Sequence, residues 1–139
     1  MICTILHLED DDDDSFFFER ALSRLQSEGR YRRVSSVDEA IHYFTGTGSF
    51  SDRTLNPLPD VLVADSNLGS LKTTGHLMSW LNDREEFRSL IRVMLTGGVS
   101  ATEADKQLHE GVACVLPKGA NLEELTRSVA QVLRLCELR

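Results

Sequence analysis

The sequence predicts an α/β fold, a doubly wound, five-stranded parallel sheet with helices on both faces. Two observations carry this. Four short segments, ICTILHL (2–8), DVLVAD (60–65), IRVMLT (91–96) and ACVLP (113–117), are near-continuous apolar runs rather than alternations, the pattern of strands buried on both faces. Stretches of helical periodicity separate them. A fifth segment, YRRVSSV (31–37), completes the order βαβαβαβαβα.

Each helix has its own signals. SFFFERALSRLQSEG repeats apolar residues at Phe18, Ala21, Leu22 and Leu25 and predicts a C-cap at Gly29. Three consecutive phenylalanines cannot all face the sheet at 100° per residue, so Phe16, Phe17 and Phe18 are expected to divide, chiefly toward the core. Ser36 with Glu39 predicts a capping box before Ala40, Ile41 and Phe44. Leu77, Met78, Trp80 and Leu81 mark a third helix. Ser100 with Glu103 opens a fourth, and Asn121 caps a last one through Leu122, Leu125, Val129, Val132 and Leu133. The stretch TGTGSFSDRTLNPLP (45–59) reads as a surface loop, too polar to pack.

The 139 residues fit one domain, 1–139, with no output domain after it. A net charge of −7 argues against nucleic acid as a partner, because phosphate contacts need clustered Lys and Arg. No apolar run approaches the ~20 residues of a membrane helix, and no signal-peptide pattern opens the chain. Cys3, Cys114 and Cys136 are odd in number and lack metal spacings, so reduced thiols in a cytoplasmic protein are expected. His7 is expected to be half-buried, and His109 to lie on the surface.

In open sheets of this kind ligands bind beyond the carboxyl ends of the strands. There the sequence places Glu9 and Asp10 after the first strand, Asp65 after the third, Thr96 after the fourth and Lys118 after the fifth. Two carboxylates about 6 Å apart repel by roughly 3 kcal/mol at an effective dielectric near 20. A cluster of them therefore raises a pKa or holds a cation, and all-oxygen donors favour Mg²⁺. Asp12 to Asp14 instead precede the first helix, where its dipole stabilises negative charge.

The blocks ILHLEDDDDDSFFFERAL, PDVLVADSNLG, VMLTGG and VLPKG resemble the signature blocks of response-regulator receiver domains of two-component signalling, from about Cys3 to Cys136. The resemblance implies the flavodoxin-like (βα)5 receiver fold with strand order 2-1-3-4-5, and the long loop before the third strand resembles stand-alone receivers with phytochrome-associated kinases. It implies Asp65 as phosphoacceptor, taking a phosphoryl group from a phosphohistidine of a sensor histidine kinase or phosphotransfer protein. Mg²⁺ would be held by Glu9, Asp10, Asp65 and the backbone carbonyl of Asn67. Lys118 and Thr96 would contact phosphoryl oxygens, with Gly97 and Gly98 leaving room. The chain would then be no enzyme beyond its own phosphorylation and dephosphorylation. It would switch a downstream protein target through the face of the fourth helix, fifth strand and fifth helix, a face also open to homodimerisation.

Four positions depart from the family pattern. Gly69 stands where a Pro is usual, Gly75 comes ten residues past Asp65 rather than eight, and Val115 replaces a common aromatic. Pro117-Lys118-Gly119 lacks the Pro that usually follows the Lys, and a cis Lys118–Gly119 bond would cost about 3 kcal/mol. Two alternatives remain. One is a pseudo-receiver that docks without being phosphorylated. The other is a haloacid-dehalogenase-like phosphatase using Asp10 and Asp12, which would leave Asp65 without a task.

Overall fold

The computed structural model describes residues 2–27, 29–66, 68, 73–97 and 111–138. Five strands, β1 (Thr4–Leu8), β2 (Arg30–Val34), β3 (Val61–Asp65), β4 (Ile91–Thr96) and β5 (Cys114–Pro117), form one parallel sheet in the order β2-β1-β3-β4-β5. The α-helices among the described residues are α1 (Asp12–Arg24), α2 (Val37–Thr45), α3 (Thr74–Asn82) and α4 (Leu122–Glu137). The helix expected from Ser100, like Asn67, Gly69, Gly98 and His109, lies outside the described residues.

Alternate strand residues point to opposite faces, so the continuous apolar runs feed two cores. Leu6, Leu8, Leu62, Ala64 and Met94 pack with α2 and α3. Ile5, Val61, Val63, Val93 and Leu95 pack with Phe18, Ala21, Leu125, Val129 and Val132 of α1 and α4. Leu62 is fully buried on the central strand, and Leu62→Ala is expected to cost about 2–5 kcal/mol, read as a lower urea midpoint at unchanged slope.

Several local expectations change. The first helix ends at Arg24, and Gln26, not Gly29, takes the left-handed conformation (φ 51°) after its C-cap Leu25. Gly29 serves a close approach instead, since a Cβ there would lie 3.1 Å from the Cys3 carbonyl oxygen. Ser36 caps α2 through the Glu39 N–H, but the Glu39 carboxylate accepts from Ser35, so the box is only half made. Phe18 is buried, whereas Phe16 and Phe17 are exposed. The 45–59 stretch is anchored rather than loose. The Arg53 guanidinium donates to the Tyr43 and Phe44 carbonyls, and the Tyr43 hydroxyl to that of Pro57.

Cys3 and Cys136 are joined by a disulfide, against the expectation of reduced thiols, and only Cys114 is free. His7 is fully buried rather than half-buried. Pro117 is tolerated because β5 is the sheet edge. No cis peptide bond occurs among the described residues, Lys118–Gly119 included.

Candidate functional site

The carboxyl ends of β1, β3, β4 and β5 bring the sequence-predicted side chains together. Glu9 follows β1 and is fully buried, Asp65 ends β3 at 3% exposure, and Thr96 ends β4 buried. Asp10 sits at the exposed rim. One carboxylate oxygen each from Glu9, Asp10 and Asp65 lie within 4.8 Å of one another.

Local hydrogen bonds hold these strand ends in place. The Thr74 hydroxyl, at the start of α3, donates to the Asp65 carbonyl. The Ser66 N–H reaches Leu95 O, tying the end of β3 to β4. Beyond β5, the Lys118 N–H donates to Thr96 O at 2.7 Å, and the Ser128 hydroxyl of α4 donates to Pro117 O at 2.6 Å. The chain then turns at Gly119 (φ 79°), where a Cβ would lie 2.5 Å from the Glu124 Cβ. No side chain fits that turn. It allows Asn121 to cap α4 while Lys118 points back into the cluster.

Lys118 Nζ lies 2.9 Å from Asp14 Oδ2, 3.2 Å from Asp65 Oδ1 and 3.4 Å from Glu9 Oε2. Burial by itself would lower its pKa. The Asp14 hydrogen bond and the Asp65 and Glu9 charges outweigh that and hold the ammonium well above its ordinary value. Glu9 shifts the other way for an acid. Burial, then repulsion from Asp65, push its carboxyl up to about 7, against the attraction of Lys118 and a hydrogen bond from the Asp11 N–H.

Two contributions at this end of the sheet were not expected from sequence. Asp14 belongs to the first turn of α1, as the dipole argument requires, yet its carboxylate also makes the shortest contact to Lys118. His7 forms a buried polar chain, its Nδ1 2.7 Å from the Tyr31 hydroxyl, which lies 2.8 Å from Ser15 Oγ. Its Nε2 makes no hydrogen bond among the described residues and sits 3.9 Å from Glu9 Oε2. Burial, then the Lys118 and Arg33 charges, lower the His7 pKa to about 3, so the imidazole is neutral. The unbroken apolar run on either side of His7 could have flagged it as buried, but its partners come from β2 and α1. Asp11 caps α1, its carboxylate accepting from the Asp14 N–H.

A cleft of about 340 Å³ opens beside the cluster between α1 and the turn after β5, with His7, Glu9, Asp14, Phe17, Gly97 and Lys118 among its walls. Chemically the arrangement offers hard anionic oxygens for a divalent cation, a buried carboxylate nucleophile, and one ammonium placed to stabilise negative charge.

No protein-family model matches the chain, and no curated protein matches it. Solved structures do. A response regulator in red-light signalling of R. palustris is 24% identical with a TM-score of 0.88, covering 95% of this chain and 92% of that one. The phosphorylated cyanobacterial phytochrome response regulator RcpA is 20% identical with a TM-score of 0.82, covering 95% and 91%. The Mn²⁺-bound form of response regulator Rcp1 is 21% identical with a TM-score of 0.78, covering 94% and 91%. A five-stranded parallel sheet in 2-1-3-4-5 order, superposing on these structures over nearly its whole length, gives this chain the fold of response-regulator receiver domains.

Proposed function

We propose that the chain is a phosphorylatable receiver, accepting a phosphoryl group on Asp65 from a phosphohistidine of a sensor histidine kinase or phosphotransfer protein. The observation that carries this reading is Asp65 itself. It is a buried carboxylate at the end of the central strand, with Lys118 Nζ 3.2 Å from its Oδ1 and the Glu9 and Asp10 oxygens beside it.

In the reaction, an Asp65 carboxylate oxygen attacks phosphorus, the P–N bond to the imidazole breaks, and the imidazole leaves with the bonding pair. Lys118 stands ready to pair with a phosphoryl oxygen in place of the Asp65 charge. Thr96, at the end of the adjacent strand, offers its hydroxyl to another. Glu9, Asp10 and Asp65 form a donor set suited to Mg²⁺, with the Asn67 carbonyl the further candidate ligand. When bound, the ion supplies charge neutralisation. The Mn²⁺-bound neighbour supports a divalent ion here, and the phytochrome-linked neighbours support a photoreceptor kinase as donor.

Asp10 lies at the exposed rim, whereas Asp65 is buried against Lys118, which favours Asp65 over Asp10 as nucleophile. Intact mass after incubation with acetyl phosphate should rise by one phosphoryl group only when Mg²⁺ is present, and Asp65→Ala should abolish the adduct. An adduct that persists in Asp65→Ala and vanishes in Asp10→Asn would move the nucleophile to Asp10. No adduct under any condition, including with candidate kinases, would leave a docking module.

A further inference from the structure

The Cys3–Cys136 pair lies outside the acidic site. Cys3 immediately precedes β1, Cys136 lies in the last turn of α4, and their Cα atoms are 6.3 Å apart across 133 residues of sequence. That spacing is the ordinary one for a disulfide. Both residues belong to the core between α1, α4 and the sheet, at 8% and 1% exposure. Ile2, beside Cys3, and Leu138, two residues past Cys136, are solvent-exposed, so the bond sits just beneath the surface.

We propose that Cys3 and Cys136 form a reversible thiol–disulfide site, closed by a small disulfide such as oxidised glutathione and opened by a dithiol, whose state sets how firmly the last turn of α4 is held to the sheet. In closing, the Cys3 thiolate attacks one sulfur of the small disulfide and expels a thiolate. The Cys136 thiolate then attacks the Cys3 sulfur of the mixed disulfide and expels the second. The two cysteine protons end on the two released thiols. The protein pair is oxidised by two electrons and the small disulfide is reduced by two.

The surroundings make this exchange depend on local opening. An Asp60 oxygen lies within 4.8 Å of both sulfurs, and Asp60 is fixed there by the Thr4 N–H at 2.9 Å. A neighbouring carboxylate opposes the thiolate needed in either direction. Exchange therefore proceeds when the last helical turn lifts, the kind of sub-global opening that costs least at helix ends. Cys114 does not compete well, because it is half-buried and burial pushes its thiol pKa up.

The test equilibrates the whole chain in glutathione buffers of increasing oxidised fraction, quenches with acid, alkylates, and reads intact and peptide masses. Wild type should lose two hydrogens at the oxidising end, regain them with dithiothreitol under native conditions, and keep Cys114 alkylatable throughout. Amide exchange over 133–138 should slow roughly tenfold in the oxidised form, and Cys3→Ser and Cys136→Ser should each remove both effects. Four results would overturn the proposal: a pair that stays reduced in every buffer, a stable glutathione adduct on one cysteine, a bond that opens only on unfolding, or equal amide exchange in both states. Stoichiometric Zn²⁺ held by the reduced pair with Asp60, resisting oxidation, would equally overturn it and assign a metal site instead.

Discussion

Lys118→Met should lower the stability of the chelator-treated protein by about 3 kcal/mol at pH 8, with most of the loss regained as the pH falls to about 5. The ammonium touches carboxylates from three elements, Glu9 after β1, Asp14 of α1 and Asp65 of β3. Methionine keeps the apolar stem but leaves these anions without their nearest cation. Oxygens of Glu9 and Asp65 lie within 4.8 Å of each other, where two full charges repel by about 3 kcal/mol at an effective dielectric near 20. The variant's Glu9 therefore rises still further, and protonation at lower pH relieves the repulsion. Mg²⁺ should restore stability at pH 8, since a divalent cation can take the place of the lost charge. Labelling by acetyl phosphate should nevertheless fall about 100-fold, because the contact proposed between Lys118 and the transferring group does not return. Urea titrations at pH 8 and 5, with chelator and with Mg²⁺, separate these effects. A midpoint unchanged at pH 8 in chelator would mean that Lys118 contributes nothing to holding the cluster.

The parts of this molecule legible in its sequence are those set by local pattern. Strands β1, β3 and β4 are buried on both faces, so their unbroken apolar runs announced them. The convergence of Glu9, Asp65, Thr96 and Lys118 followed from asking what stands at the ends of such strands. What escaped depends on partners remote in sequence. Cys3 and Cys136 are 133 residues apart, and an odd number of cysteines suggested no pairing. The burial of His7 depends on Tyr31 and Ser15 arriving from β2 and α1. Asp14 carries the ordinary signature of a helix first turn, and only the path of Gly119 brings Lys118 to it, 104 residues away. The end of α1 was misplaced because Gly29, a plausible cap, is used for close packing against Cys3, while Gln26 takes the left-handed turn.

Glu9→Gln should make the metal-free protein more stable than wild type at pH 8, by about 3 kcal/mol, with the advantage gone near pH 4.5. Glu9 has a folded pKa of about 7 against an ordinary 4.5, so the folded state holds a proton there that the unfolded chain has released. For this raised group, the stabilising contribution is complete below pH 4.5 and is lost as the pH climbs through 7. Glutamine keeps the shape without the buried charge. His7 acts in the opposite direction. Its folded pKa of about 3 against 6.5 means that its contribution is present above pH 6.5 and lost as the pH falls toward 3. Between 4.5 and 6.5 the two slopes oppose each other, one proton against one, so wild type should show a flat stability profile there. Glu9→Gln removes one arm, and its stability should then rise with pH up to about 6.5. The charged groups facing Glu9, namely Asp65, Asp14, Lys118 and the Arg33 that donates to its carbonyl, remain in the variant. With Mg²⁺ at pH 8 the order should reverse, because wild type gains binding free energy that the variant, lacking one of the proposed anionic ligands, largely forgoes. Melting temperatures at pH 8 and 5, each with chelator and with Mg²⁺, test both arms. A Glu9→Gln protein less stable than wild type at pH 8 in chelator would show that the buried carboxylate is a structural asset rather than a charge kept for the cation.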